Sequence, residues 1–569
     1  MSSKHALAFL VSLLSGALMS SVSAQTDNNP YSYQIRRKAG GTHGAVVSAH
    51  PLASRAGIRI LQQGGNALDA AIATQLALAV VYPEAGNIGG GGFMVAHLAK
   101  GENITLDFRE KAPAAATRDM YLDAAGNPRT DLSQNGHLAA GVPGAIAGIF
   151  AELKYAKLPI ATLIQPAIDL AEKGFTITER EAKGLNHTQA AFKKYNTMMP
   201  VFVKEKAWKA GDTLIQKDLA RTLRLIRDQG AKGFYEGETA ALITAEMQRG
   251  KGIITLEDLK SYEAKEREPA VFSYKDYSVI TMPLPSSGGV ILQQMMKMVE
   301  NQPLKSYGFE SVKAVHLMTE VERLAYADRA KYLGDRDYYS VPVKTLTSSA
   351  YLQQRVALIP PDKAGTSVDI QAGLISPASK ETTHLDVYDG EGNAVSITTT
   401  LNGGYGNRVV VAGAGFFLNN EMDDFSVKPG VPNMYGAVGA EANAIAPGKR
   451  MLSSMTPTLV LDKGKVFLVV GTPGGTTITT SVFQTLMDIL EFGLSTEDAV
   501  NKPKFHHQWL PDQIFVEPAF PEDTREQLRK MGYKITQESS IGRFEVIKVS
   551  DGKIEAVGDS RGDDTAEGY

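Results

Sequence analysis

An α/β fold in which β-sheets are covered by helices is what this 569-residue sequence predicts. Three observations carry the prediction. Apolar residues recur at helical spacing from His50 to Leu61, then surround Ala67 to Val81 on every side, as in a buried helix. Further helical stretches fill most of the chain between Gly144 and Met298. After Thr382 the text turns to short β-like runs joined by Gly-containing turns, the mark of hairpins.

Composition narrows the class. A hydrophobic share of 43% with 21% charged residues is that of a globular protein. A net charge of −3 and the lack of a long basic run argue against nucleic acid or a membrane surface as partner. Cysteine is absent, which excludes disulfides, thiolate nucleophiles and Cys-ligated zinc. At the start, Lys4 precedes the apolar run Ala6 to Met19, and Val22-Ser23-Ala24 offers small residues before Gln25. That pattern predicts a signal peptide over residues 1–24 and an exported, periplasmic or secreted, protein. No later stretch approaches membrane-spanning length.

The elements follow in order. A short β-like run from Ala45 precedes the first helix, and Gly64-Gly65-Asn66 separates it from the second. Gly89-Gly90-Gly91-Gly92 lacks the Lys-Ser/Thr of a phosphate loop and precedes a strand, so it reads as a tight turn of close backbone approach. Helices are expected over Ile160–Lys173, Asp218–Gln229 and Gly237–Arg249, and Thr255 with Asp258 forms a capping box. Ser286-Ser287-Gly288-Gly289 introduces a helix over Val290–Val299. The helix Ser311–Leu333 carries Asp328-Arg329 ahead of Asp335-Arg336-Asp337, a cluster read as a solvated face or structural ion pairs. Val341 to Lys380 reads as a polar, loop-like linker, and Thr480 to Phe492 as a helix.

Two hairpins place hydroxyls. The runs His384–Tyr388 and Ala394–Thr400 flank Asp389-Gly390-Glu391-Gly392-Asn393. A turn centred on Glu391 sets Thr382 opposite Thr400, with Cβ atoms roughly 5 Å apart, and Asn402 on the same face. A second hairpin centred on Lys463-Gly464 sets Ser453 opposite Gly474 and Ser454 beside Pro473. A third joins Phe544–Val549 to Glu555–Val557.

A threonine hydroxyl is a weak nucleophile that needs an adjacent base. An N-terminal amine, with a pKa of about 7.7 to 8.0, serves near neutral pH. An internal threonine has no such amine, so this chemistry at Thr382 requires a cut before it. Spacing alone leaves the matter open, because β-branched residues favour strands in any case.

The motifs Glu381-Thr382-Thr383-His384, Leu401-Asn402-Gly403-Gly404-Tyr405-Gly406, Asn419-Asn420-Glu421-Met422-Asp423-Asp424-Phe425, Leu452-Ser453-Ser454-Met455-Thr456-Pro457 and Gly471-Thr472-Pro473-Gly474-Gly475 resemble, in order and spacing, the series of γ-glutamyltranspeptidases. The resemblance extends from Gly64-Gly65-Asn66-Ala67 to Phe505-His506-His507-Gln508-Trp509. It implies a four-layer αββα sandwich of the N-terminal-nucleophile hydrolases and a proenzyme cleaved between Glu381 and Thr382. The products would be a large subunit, 25–381, and a small one, 382–569, held together as a heterodimer within one αββα domain.

What the resemblance implies for the site can be stated residue by residue. Thr382 is the nucleophile toward glutathione or another γ-glutamyl donor, with water or an amino acid or peptide amine as acceptor. Thr400 orients the Thr382 hydroxyl, and the Gly474 and Gly475 N–H groups receive the oxyanion. Arg109, Ser453 and Ser454 hold the substrate's α-carboxylate, Arg109 through its planar fork. Asn402, Glu421 and Asp424 surround the α-ammonium; glutamine is also common at the position of Glu421. The stretch Pro429–Gly439, with Tyr435, resembles a lid. No cofactor is implied, and His506-His507 reads as packing, not as a metal site. Two alternatives stand beside this. A glutaryl acylase of the same superfamily would not need acceptors for an ammonium. An exported solute-binding protein would give no reason for a cleavable Glu381-Thr382 junction.

Overall fold

In a computed structural model, residues 32–370 and 382–569 are described. The expected signal peptide and Glu381 of the expected junction lie outside them.

Two seven-stranded antiparallel sheets face each other. Across the first run Thr565–Gly568, Gly44–Ser48, Thr383–Asp389, Ala394–Thr400, Gly91–His97, Asn103–Asp107 and Lys265–Arg267. Across the second run Lys38–Gly41, Lys553–Gly558, Glu545–Ser550, Lys465–Gly471, Thr458–Asp462, Tyr277–Thr281 and Ala270–Tyr274. Alternation along each strand builds three cores. Val47, Phe93 and Val95 meet Ile280, Leu459, Val469 and Ile547 between the sheets. Val46, Met94, Leu385 and Ile397 turn outward beneath the helices Pro51–Gln62, Ala67–Val81 and Ile160–Lys173. Val279, Val460, Leu468 and Val546 turn the other way, beneath Gly288–Val299, Val312–Tyr332 and Thr477–Leu490. The expected αββα layering is what the chain forms.

Local reasons are visible at several elements. All fifteen residues of Ala67–Val81 are buried, and Asn66 and Asp69 close its N-terminus reciprocally. The glycine run is a close approach: a Cβ on Gly90 would lie 2.0 Å from the carbonyl oxygen of Thr400. Thr255 and Asp258 form the expected capping box.

Four expectations need correction. The linker 341–370 holds two helices, Val343–Leu346 and Ser349–Val356, whose Leu346 and Leu352 enter the core. The mostly helical stretch between Gly144 and Met298 also contributes three strands to the two large sheets, Lys265–Arg267, Ala270–Tyr274 and Tyr277–Thr281, besides the small pair Phe175–Thr176 and Thr213–Leu214. The second hairpin starts in the expected register, Asp462 opposite Lys465, but shifts at Val460/Leu461 so that Phe467 is the extra residue. Ser453 therefore does not face Gly474 through a ladder; it forms a parallel bridge with Ser286. The fourth concerns Arg329 and belongs to the site.

Candidate active site

The first hairpin keeps its expected register to the end. Thr383 pairs with Thr399 and His384 with Thr398, which sets Thr382 and Thr400 at the same end of adjacent strands. Asn87 holds this end: its amide donates to the Thr400 carbonyl (2.9 Å) and accepts from Gly90 N–H. Beneath Thr382, His384 is buried between Thr398 (2.8 Å) and Asp386 (2.9 Å), so the strand is anchored by side chains as well as by its ladder. A Cβ on Gly471 would lie 2.1 Å from the His384 ring, so only glycine lets the facing sheet pass there.

Thr382 and Thr400 open into one cavity. Arg109, Asn402, Glu421, Asp424, Ser453, Ser454, Tyr435 and Gly475 line the same cavity. Of the expected site residues that are described, only Gly474 is not part of the lining. It stands next to Gly475, immediately before the helix Thr477–Leu490. Both glycines have positive φ, 140° and 56°. A helix N-terminus carries partial positive charge, and this pair stands at one.

Charge in the cavity is dense. Nη1 of Arg109 donates to Glu421 and Nη2 to Asp424 (2.5 Å), while Nε reaches the Met451 carbonyl (3.4 Å). The residues expected to bind opposite ends of a ligand are thus bonded to each other. Burial lowers the affinity of the guanidinium for its proton, but Glu421, Asp424 and Glu110 outweigh it and raise the pKa. Burial pushes Glu110 up to about 8 and raises Glu421 and Asp424, against the pull of Arg109. Asn402 stands at φ 72°, accepts Tyr435 Oη at its carbonyl and donates its side-chain amide to Asn420 (3.0 Å). Its N–H donates to the Thr400 hydroxyl (2.7 Å), which ties the hairpin end to the cavity wall.

The two serines are prepared as donors. Ser453 Oγ accepts from Met455 N–H (3.2 Å), and Ser454 Oγ accepts from Arg329 Nη2 (3.0 Å). Each hydroxyl so occupied keeps its own hydrogen to give away. The stretch 429–439 is a folded turn: Asn433 accepts from the N–H groups of Tyr435 and Ala437 and donates to Asp424 (2.8 Å). Tyr435 packs over Gly475, where a Cβ would lie 2.4 Å from its ring.

Arg329 was the residue least visible in the sequence. It is not on a solvated face: it lines the cavity, is buried, and donates to Ser287 (3.0 Å) and Ser454. Its neighbour Asp328 points elsewhere, to Arg355 at 3.1 Å. Asn433, Thr476 and Ile478 also line the cavity without a distinguishing motif. The histidine pair divides, His506 bonding Thr480 (2.8 Å) and His507 accepting from Trp509 N–H (3.1 Å). Among the described residues no group of His, Cys, Asp or Glu is arranged to hold a metal. No described helix is long and apolar enough to cross a membrane.

Comparison with known proteins agrees with the geometry. The family profile described as Gamma-glutamyltranspeptidase matches residues 53–569. The chain is 44% identical to the glutathione hydrolase proenzyme of Escherichia coli over 98% of both chains. Among solved structures, the γ-glutamyltranspeptidase of Helicobacter pylori is 50% identical, with a TM-score of 0.56, over 57% of this chain and 94% of its own. The cephalosporin acylase of Bacillus halodurans is 28% identical, with a TM-score of 0.82, over 94% of this chain and 97% of its own. The chain belongs to the γ-glutamyltranspeptidase family.

Proposed function

We propose that this protein is a proenzyme that cuts itself before Thr382 and then acts as a γ-glutamyl hydrolase and transferase on glutathione and related amides. The observation that carries the reading is the meeting of Thr382 and Thr400 with Arg109, Ser453, Ser454 and the acidic pair Glu421 and Asp424 around one cavity. In the cut, the Thr382 hydroxyl attacks the Glu381 carbonyl, the peptide nitrogen leaves as the new α-amine, and water opens the ester. In turnover that amine takes the hydroxyl proton and the oxygen attacks the γ-carbonyl. The oxyanion forms beside Gly474 and Gly475 N–H, and the amine of the leaving group receives the proton. Water then releases glutamate, or an acceptor amine takes the γ-glutamyl group.

The remaining roles follow from charge. Ser453, Ser454 and Arg109 receive the α-carboxylate, while Asn402, Glu421 and Asp424 receive the α-ammonium. Thr400 orients the nucleophile, and the turn carrying Tyr435 covers the cavity. The subunits 25–381 and 382–569 remain together, and residues 1–24 direct export to the periplasm or beyond. The fit to a cephalosporin acylase keeps a glutaryl substrate as the second reading; such a group has no ammonium to engage Glu421, Asp424 and Asn402. The test is Thr382→Ala. The variant is expected to fold, remain one chain and release no p-nitroaniline from γ-glutamyl-p-nitroanilide. Normal cutting or normal turnover by this variant would refute the assignment.

A further inference from the structure

Six arginines are buried among the described residues: Arg109, Arg267, Arg323, Arg329, Arg450 and Arg543. Five have a carboxylate within 4 Å: Glu421 and Asp424 for Arg109, Asp107 and Asp337 for Arg267, Glu320 and Asp512 for Arg323, Asp107 for Arg450, Asp564 for Arg543. Arg329, 7% exposed, bonds only to the neutral hydroxyls of Ser287 and Ser454, each at 3.0 Å. A buried guanidinium stays charged, and leaving it without an anion is costly. Burial accordingly pulls its pKa below the ordinary value, whereas that of Arg109 is raised. The cost is explained if the anion arrives with the ligand.

The geometry points to Arg329 as the residue that supplies a positive charge held in no ion pair for the substrate's carboxylate, acting beside Arg109 and through Ser454. The inference rests on the γ-glutamyl reading above and adds to it a specificity-determining residue. Arg109 alone cannot fill this role, because two carboxylates already face its fork. Arg329 reaches Ser454 Oγ with one Nη, which polarises that hydroxyl toward an acceptor, while Asp424 acts on the guanidinium only through space, without an ion pair. Ser287, which holds Nε, also donates to the Ser453 carbonyl (2.7 Å), so one hydroxyl fixes both the guanidinium and the serine pair.

The test compares two anilides that differ only in the carboxylate, γ-L-glutamyl-p-nitroanilide and 4-aminobutanoyl-p-nitroanilide, on the mature enzyme and on R329Q and R329K. The ratio of kcat/KM between them should fall about tenfold or more in R329Q, mainly through KM. In R329K, which keeps the charge, it should recover in part. A ratio equal to wild type in R329Q would overturn the inference, since a merely structural role would lower both substrates together. If R329Q fails to fold or cut, R329K decides: a ratio below wild type upholds the proposal, and an unchanged ratio with both rates reduced overturns it. Wild-type enzyme that shows no preference for the glutamyl anilide would instead overturn the γ-glutamyl reading itself.

Discussion

At the scale of single residues the cavity works by opposing demands placed side by side. Gly475 must adopt φ 56° and must leave room for the Tyr435 ring, so a methyl group there meets both strain and contact. Gly475→Ala should lower kcat about a hundredfold or more, the scale of losing an oxyanion donor; a kcat within about twofold of wild type in cut enzyme would contradict the role. Asp424 is shared by Arg109 and Asn433. Asp424→Asn should raise KM for the γ-glutamyl anilide about tenfold while sparing a glutaryl anilide, and equal effects on both would remove the ammonium role. Thr382 and Thr400 were legible because this hairpin carries the register of its turn to the far end without a bulge, and Thr383 does pair with Thr399. Arg329 was not. Asp328-Arg329 reads as a local pair, but neighbours on a helix diverge by about 100°, and the partner hydroxyls of Arg329 come from distant Ser287 and Ser454.

At the scale of elements, strong periodicity carried and short helices did not. Ala67–Val81 was readable because apolar residues outnumber Asp69, Thr74 and Gln75 on every side of it. Val343–Leu346 and Ser349–Val356 are too short to persist by propensity, and packing of Leu346 and Leu352 makes them helices. The bulge at Val460/Leu461 was invisible because turn residues fix only the near end of a hairpin. The helix Ala145–Glu152 ends on a buried carboxyl whose two oxygens have no partner, and burial raises its pKa from 4.5 to about 8. A folded-state pKa above the unfolded one gives stability that is complete below pH 4.5 and is lost as pH rises through about 8. The melting temperature of Glu152→Gln should therefore gain on wild type progressively across that window. A difference that is constant with pH would show that Glu152 does not titrate there.

At the scale of the molecule, the expected cut falls at the entry to a central strand, not between domains. Segments from either side of it interleave: Gly44–Ser48 lies between Thr565–Gly568 and Thr383–Asp389, and Ala394–Thr400 pairs with Gly91–His97. In the other sheet Thr458–Asp462 pairs with Tyr277–Thr281, and Lys553–Gly558 with Lys38–Gly41. Separating the pieces would break both sheets and empty all three cores. The cut protein should co-elute as one species and melt in one transition, and subunits that part without denaturant would contradict this architecture. The layered fold was legible from helical and hairpin text together, but which strand neighbours which was not, because antiparallel order across the cut depends on contacts hundreds of residues apart. The central claim, self-cleavage that frees the amine of Thr382, is tested most directly by N-terminal sequencing of the purified protein after a denaturing gel. Two bands are expected, the smaller beginning Thr-Thr-His-Leu; a single intact chain that still hydrolyses γ-glutamyl-p-nitroanilide would contradict it.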